Sequence, residues 1–168
     1  MSGSFHLRDI DPSDLLHIHR GLSDPRVTQY YGVHFNSLDE TSEQMKWYHD
    51  QVLEKKGKWW IISNELGLPV GAAGFNDHNR DTGDMEIGFW LYPEYRGLGI
   101  MKAMMPELIA RSSLFPTVSR IIAYVEGENI ASSSLLLRSG FTEGPSFTEA
   151  KGDNTINVNT FYFEIREK

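Results

Sequence analysis

Along residues 84–91 apolar side chains alternate with others, Met85, Ile87, Phe89 and Leu91 against Glu86, Gly88 and Trp90. A two-residue period predicts a strand with two differently occupied faces. Tyr92-Pro93-Glu94 ends it, because proline cannot donate to a ladder. After Arg96-Gly97-Leu98-Gly99 the period changes. Ile100, Met101, Met104, Met105, Leu108 and Ile109 recur at helical spacing and form one apolar stripe. Pro106, two turns in, removes one backbone bond and crowds the carbonyl of Lys102, so a bend or shift of this helix is expected.

The flanking pattern is that of alternating strands and helices. Residues 5–8 read as a first strand. Asp11 caps a helix with Pro12 at its first position, Asp14 in its first turn and Leu15, Ile18 and Leu22 on its buried side. Residues 27–35 are aromatic and irregular, either a loop pinned on the core or a wall of a binding site. A second helix is expected over residues 38–56, with Met45, Tyr48 and Val52 on one side, Lys55 and Lys56 at its end and Gly57 as its exit. Residues 58–64 and 69–75 read as an antiparallel pair turned by Glu65-Leu66-Gly67-Leu68. A polar loop, residues 76–83, leads into the central strand. Residues 119–125 are nearly all apolar, as a strand covered on both faces is, and should lie parallel to the central one through a right-handed crossover. Asn129 caps a helix over residues 130–139, which Gly140 ends. Residues 141–150 and 157–166 form two last strands turned at Lys151-Gly152-Asp153-Asn154.

Composition narrows the class. The 168 residues include 40% hydrophobic and 23% charged side chains, the balance of one globular domain over residues 1–168. A net charge of −7 without a Lys/Arg run argues against nucleic acid and suits a basic acceptor such as an amine. The chain has no cysteine, which excludes disulfides, thiolate nucleophiles and cysteine-type zinc sites. No apolar run reaches the ~18 residues of a membrane span, and the first residues lack a signal-peptide pattern. A cytoplasmic location is therefore expected. The six histidines show no zinc spacing; His17 and His19 would face different sides of a helix.

The strand–glycine turn–helix order carries candidate chemistry. Unpaired N–H groups of a first helical turn and the helix dipole attract an anion, glycines let it approach, and Arg96 adds charge. A pyrophosphate cradle fits; so does an ordinary turn with glycines for packing. A Walker loop is excluded because Lys102 lacks the Gly-Lys-Ser/Thr context, and a dinucleotide fingerprint because Lys102 stands where its third glycine belongs.

Glu-Ile-Gly-Phe-Trp-Leu at 86–91, Pro-Glu-Tyr-Arg-Gly-Leu-Gly-Ile at 93–100, Glu-Asn-Ile-Ala-Ser at 128–132 and Arg-Ser-Gly-Phe at 138–141 resemble the GNAT superfamily of acyl-CoA-dependent N-acetyltransferases. They are most similar to its ribosomal-protein N-terminal acetyltransferase (RimJ/RimL type) branch. In the family's Gln/Arg-x-x-Gly-x-Gly/Ala loop, Met101 stands where Gly or Ala is usual. The resemblance implies an α+β GNAT fold, a mixed sheet of about seven strands with about four helices. It implies acetyl-CoA as co-substrate with no metal. The cofactor set it implies is Phe89, Trp90, Leu91, Arg96, Gly97, Leu98, Gly99, Ile100, Met101, Asn129 and Ser132. The implied partners are acetyl-CoA and an amine, in a monomer or homodimer; neither nucleic acid nor a membrane is expected.

Two catalytic candidates follow. Glu86, a carboxylate on a buried strand, would be raised in pKa and serve as base near neutrality, unless it is a structural Glu with a fixed partner. Many relatives place a tyrosine on the last helix as acid, but here Leu136 occupies that position. Ser132, three residues after Asn129, matches the family's serine at the start of this helix, and the resemblance implies that it polarises the thioester sulfur or binds pantetheine. The plainer reading is a serine in a first helical turn. The expected activity is acetyl transfer to a protein or peptide N-terminus. The alternatives are a small amine acceptor (polyamine or antibiotic) and a CoA-binding module without activity.

Overall fold

The structure is a computed structural model that describes residues 4–165. Residues 1–3, where a signal sequence would begin, and residue 166, the expected end of the last strand, lie outside the described residues. Seven strands form one mixed sheet in the order β1-β2-β3-β4-β5-β7-β6. They are β1 (Phe5–Asp9), β2 (Lys58–Asn64), β3 (Pro69–Asn79), β4 (Asp84–Leu91), β5 (Arg120–Glu126), β6 (Thr142–Lys151) and β7 (Asn154–Glu164). The α-helices are α1 (Leu15–Leu22), α2 (Pro25–Thr28), α3 (Leu38–Leu53), α4 (Ile100–Ala110) and α5 (Ile130–Arg138). This is the GNAT fold, α+β, with β4 and β5 the parallel pair and every other neighbouring pair antiparallel. The fifth helix beyond the expected four is α2, a single turn capped by the Asp24 side chain; it starts at Pro25 and runs into the first two residues of the stretch read as irregular.

Two apolar cores lie on opposite faces of the sheet. Met85, Ile87 and Leu91 of β4 pack with Met104, Met105 and Leu108 of α4. Trp90 of β4 packs on the other face with Ile18 and Leu22 of α1, Tyr48 of α3 and Trp59 of β2. The alternation along β4 is thus matched by a helix layer on each side. α4 runs unbroken through Pro106, since Pro106 and Lys102 are both exposed and the missing bond falls on the solvent side.

The first helix opens with a 3-10 turn, Pro12–Asp14. In it Asp11 accepts from the Ser13 N–H while Asp14 accepts from the Asp11 N–H. Arg8 closes the turn with two bonds to Asp14, at 2.9 and 2.8 Å. At the other end of α1, Gly21 meets Trp90: a Cβ there would lie 2.1 Å from the indole Cζ3. Gly21→Ala would gain up to ~1 kcal/mol in helix propensity. Overpacking a fixed, buried indole costs ~1–3 kcal/mol and wins. A lowered urea midpoint is the expected outcome; an unchanged or raised midpoint would show that Trp90 yields freely.

Five details differ from the sequence pattern for tertiary reasons. α3 ends at Leu53, and its buried side is Thr41, Gln44, Tyr48 and Gln51, while Val52 is 48% exposed. Polar partners draw that side inward: Gln51 Oε1 accepts from the Asp77 N–H at 3.1 Å, and Thr41 Oγ1 meets His19 Nδ1 at 2.8 Å. Gly57 is not a helix exit but a point of contact, where a Cβ would lie 2.1 Å from the Phe75 carbonyl oxygen. β3 runs on to Asn79 through residues expected as loop, with Asp77 left-handed (φ 58°) at a register shift and Asn76 paired opposite Glu86. β5 is covered on both faces at its start, where Ile121 and Ile122 are buried, but opens at Tyr124, which is 49% exposed. β7 begins at Asn154, so the last turn is the two-residue Gly152-Asp153.

Candidate active site

The site begins where two strands part. β4 and β5 pair only over Asp84↔Arg120, Met85↔Ile121 and Glu86↔Ile122. Beyond that, β4 follows β3 as far as Leu91 and β5 follows β7, so a wedge opens in the middle of the sheet. The closed end is held by Arg120, whose Nε and Nη2 bond the two Asp84 oxygens at 3.0 and 3.1 Å. The β5-facing backbone of residues 87–91 is left without a strand partner.

A cavity of about 470 Å³ occupies this wedge. Glu86, Gly88 and Phe89 of β4, Tyr124 of β5 and Asn76 of β3 line it, with Asn129, Ser132 and Leu136 from the α5 side. Tyr30, Tyr31, Gly32, Val33 and Phe35 close one side, so the aromatic segment between the first helices is a wall of the cavity. His34 pins this segment through its ring nitrogen, 2.6 Å from Thr28 Oγ1. Lys151 at the β6–β7 turn donates to the Gln29 carbonyl at 2.8 Å and pairs with Glu126 at 2.5 Å, tying the hairpin to the segment's start. Trp59 fits beside Glu86 because residue 88 is glycine; a Cβ there would lie 2.8 Å from the indole.

Glu86 stands at the apex of the wedge. Burial is the main cause that raises its carboxyl to about 7, and the negative Asp77 nearby adds to the rise, while the adjacent Asn76 amide works against it. Asn76 is itself oriented, accepting from Trp59 Nε1 at 3.2 Å and donating to Asp77 Oδ2 at 2.9 Å. At the start of α5 the Asn129 side chain accepts from the Ser132 N–H at 3.2 Å, the N-cap role.

The glycine turn lies outside this cavity, past β4. Gly97 and Gly99 both take positive φ, 74° and 78°, with open space where a Cβ would be. Among the described residues the main-chain N–H groups of residues 97–102 have no internal partner. Arg96 and Leu98 are exposed beside them, while Ile100 and Met101 turn their side chains into the core. Trp90 and Leu91 are also buried, one in each core, so their backbone alone is open to a ligand. The donor set suits the diphosphate of CoA, and the unpaired β4 edge suits the amides of its pantetheine arm. Asn76, Glu43, Trp47, Trp59 and Tyr124 join the cavity without having been singled out from the sequence. Among the described residues no group of His, Asp or Glu is placed to hold a metal ion, and no helix is long and apolar enough to cross a membrane.

Comparison with known proteins identifies the fold and the family. The profile of the acetyltransferase (GNAT) domain matches residues 5–142. An uncharacterized N-acetyltransferase of Bacillus licheniformis, p20, is 31% identical over 150 residues, 86% of this chain and 84% of that protein. The Salmonella typhimurium acetyl transferase that modifies the N-terminal serine of 50S ribosomal subunit protein L7/L12 shares the fold with a TM-score of 0.85 at 21% identity, over 98% of this chain and 97% of that one. The Vibrio cholerae spermidine N-acetyltransferase, in complex with CoA and spermine, does so with a TM-score of 0.84 at 20% identity, over 95% of each. At such identity these two structures speak for the fold alone. The profile spans most of the chain, and with it the chain belongs to the GNAT family of acetyl-CoA-dependent N-acetyltransferases.

Proposed function

We propose that the protein acetylates the α-amino group of a protein or peptide N-terminus, with Glu86 as the base. The supporting observation is the Glu86 carboxyl, raised to about 7 at the apex of the wedge. An α-ammonium titrates near ~8 and an alkylammonium near ~10.4, so proton transfer to Glu86 is uphill by ~1 unit for the first and more than ~3 for the second. A base of this strength matches a peptide terminus and is poorly matched to a polyamine. The open, aromatic cavity also offers a terminal residue an apolar surface, whereas a polycation would want a row of carboxylates. Among the described residues only Glu43 and Glu86 supply carboxylates to the lining.

Acetyl-CoA supplies the acetyl group as a thioester. Its diphosphate is assigned to the N–H groups of residues 97–102 with Arg96, and its pantetheine arm to the backbone of residues 89–91 and to Asn129. The bound ammonium first gives one proton to Glu86. The neutral amine nitrogen then attacks the thioester carbonyl, the C–N bond forms, the C–S bond breaks, and the second nitrogen proton leaves to solvent, matching the proton that the thiolate takes up. Leu136 has no proton to give, so Ser132, or water held by it, is assigned to the departing thiolate. A thiol titrates at roughly 8.5, so little help is needed. Ser132→Ala should lower kcat measurably, by no more than about 100-fold, the low end for positioned proton transfer. A parent-like kcat would leave Ser132 only its place in the helix.

Product mapping tests the acceptor. A peptide with a free N-terminus and an internal lysine is incubated with acetyl-CoA and the acetyl position read by fragmentation. Acetyl on the terminal nitrogen supports the proposal; acetyl on the lysine, or on spermidine but not on the peptide, overturns it.

A further inference from the structure

Glu86 at the apex is joined by other oxygens in the wedge. Gly88 lies two residues on from Glu86, on the same face of β4, and the Tyr31 hydroxyl is 4.0 Å from where its Cβ would be. Across the opening Ile122 pairs with Glu86, and Tyr124 lies two residues further on the same face of β5. Its neighbours Ala123 and Val125 turn the other way, into the core under α4. Glu86 thus marks the apex, with Tyr31 over one arm of the wedge and Tyr124 on the other.

Both tyrosines line the cavity, and neither hydroxyl makes a hydrogen bond among the described residues. Their rings are held. Tyr31 packs in the core cluster of Trp59 and Trp90, and Tyr124 meets Phe147 edge-on at 6.1 Å and 78°. Burial raises both phenols, and the negative Glu86 adds to this in each. They therefore remain neutral hydroxyls whose oxygens can accept.

We propose that the Tyr31 and Tyr124 hydroxyl oxygens complete, with the Glu86 carboxylate, a three-acceptor seat for a primary ammonium, and so select primary amines over N-methylated ones. A primary ammonium has three N–H donors, and each would find one oxygen. Binding in this seat delivers the nitrogen to Glu86 before it loses a proton. The inference deepens the reading of Glu86 as the amine's partner, but it concerns amine class rather than peptide against polyamine.

Binding without turnover separates the two. CoA-loaded protein is titrated with glycinamide and with its N,N,N-trimethyl counterpart, followed by fluorescence of the cavity tryptophans and by calorimetry. Parent protein should prefer glycinamide about tenfold or more. Tyr31→Phe and Tyr124→Phe, which keep the rings, should each erode that preference severalfold while leaving the trimethyl probe's affinity as it was. Equal binding of the two probes by the parent would mean that the aromatic walls hold the cation by its charge alone, and the seat is wrong. Unchanged preference in both variants overturns it as well. A failure to acetylate peptides would refute the proposed acceptor but would not alter these affinities.

Discussion

Glu86→Gln should reduce kcat with a peptide N-terminus by roughly 100-fold to 10,000-fold, the contribution of a positioned base. In the parent, kcat should fall as pH drops through about 7, the region to which burial and Asp77 raise the Glu86 carboxyl. The variant has no carboxyl to protonate, so this inflection should vanish. The same raised carboxyl makes a second, opposite expectation for stability. In the unfolded chain Glu86 ionises near ~4.3, but in the folded protein only near 7, so stability present at low pH is lost as pH rises between these values. The loss approaches roughly 4 kcal/mol as an upper bound at ~1.4 kcal/mol per pKa unit. Glu86→Gln escapes it. The variant should match the parent's denaturation midpoint below about pH 4 and exceed it above pH 7, a stable but slow enzyme. An unchanged acid limb in the variant would make Glu86 structural and leave deprotonation of the amine to solvent.

Gly99→Asp should weaken CoA by about tenfold or more while leaving the protein folded. Gly99 caps α4 with φ 78° and faces open space, so a side chain meets no neighbour. Aspartate tolerates the left-handed region better than most residues. A carboxylate there also complements the helix dipole, which protects the fold. The same carboxylate occupies the place of the diphosphate and repels it, against ~0.3–2 kcal/mol per charge gained at a helix N-terminus. Gly99→Asn separates the two effects, since it fills the space without the charge and should lose less. Calorimetry with CoA decides: unchanged affinity in a folded Gly99→Asp protein would move the diphosphate away from residues 97–102.

The strand, turn and helix from Asp84 to Ala110 were readable residue by residue because a period of two gives way cleanly to a helical one, with a proline and two glycines at the join. α3 was harder, since its buried side carries Thr41, Gln44 and Gln51, whose partners His19 and Asp77 come from elsewhere in the chain. Asn76-Asp77-His78-Asn79 looks like a loop by composition, yet it is strand because Asn76 pairs opposite Glu86 and His78 bonds back to Lys56. Of the candidate residues, Glu86, Phe89, Asn129 and Ser132 meet in one cavity, and the aromatic residues 30–35 flank it. Trp47, Trp59 and Tyr124 gave no signal, because an aromatic on a strand or helix reads as core. The wedge itself belongs to no residue. It exists because β4 follows β3 while β5 follows β7, and pairing of that kind is a property of the whole sheet.

The most direct measurement is release of the CoA thiol from acetyl-CoA, with kcat/KM compared across peptides bearing free N-termini, the same peptides already acetylated, and spermidine and spermine. The account predicts release with free peptide termini, none with blocked ones, and far slower release with the polyamines. Release driven by polyamines while free peptide termini stay inert would contradict it.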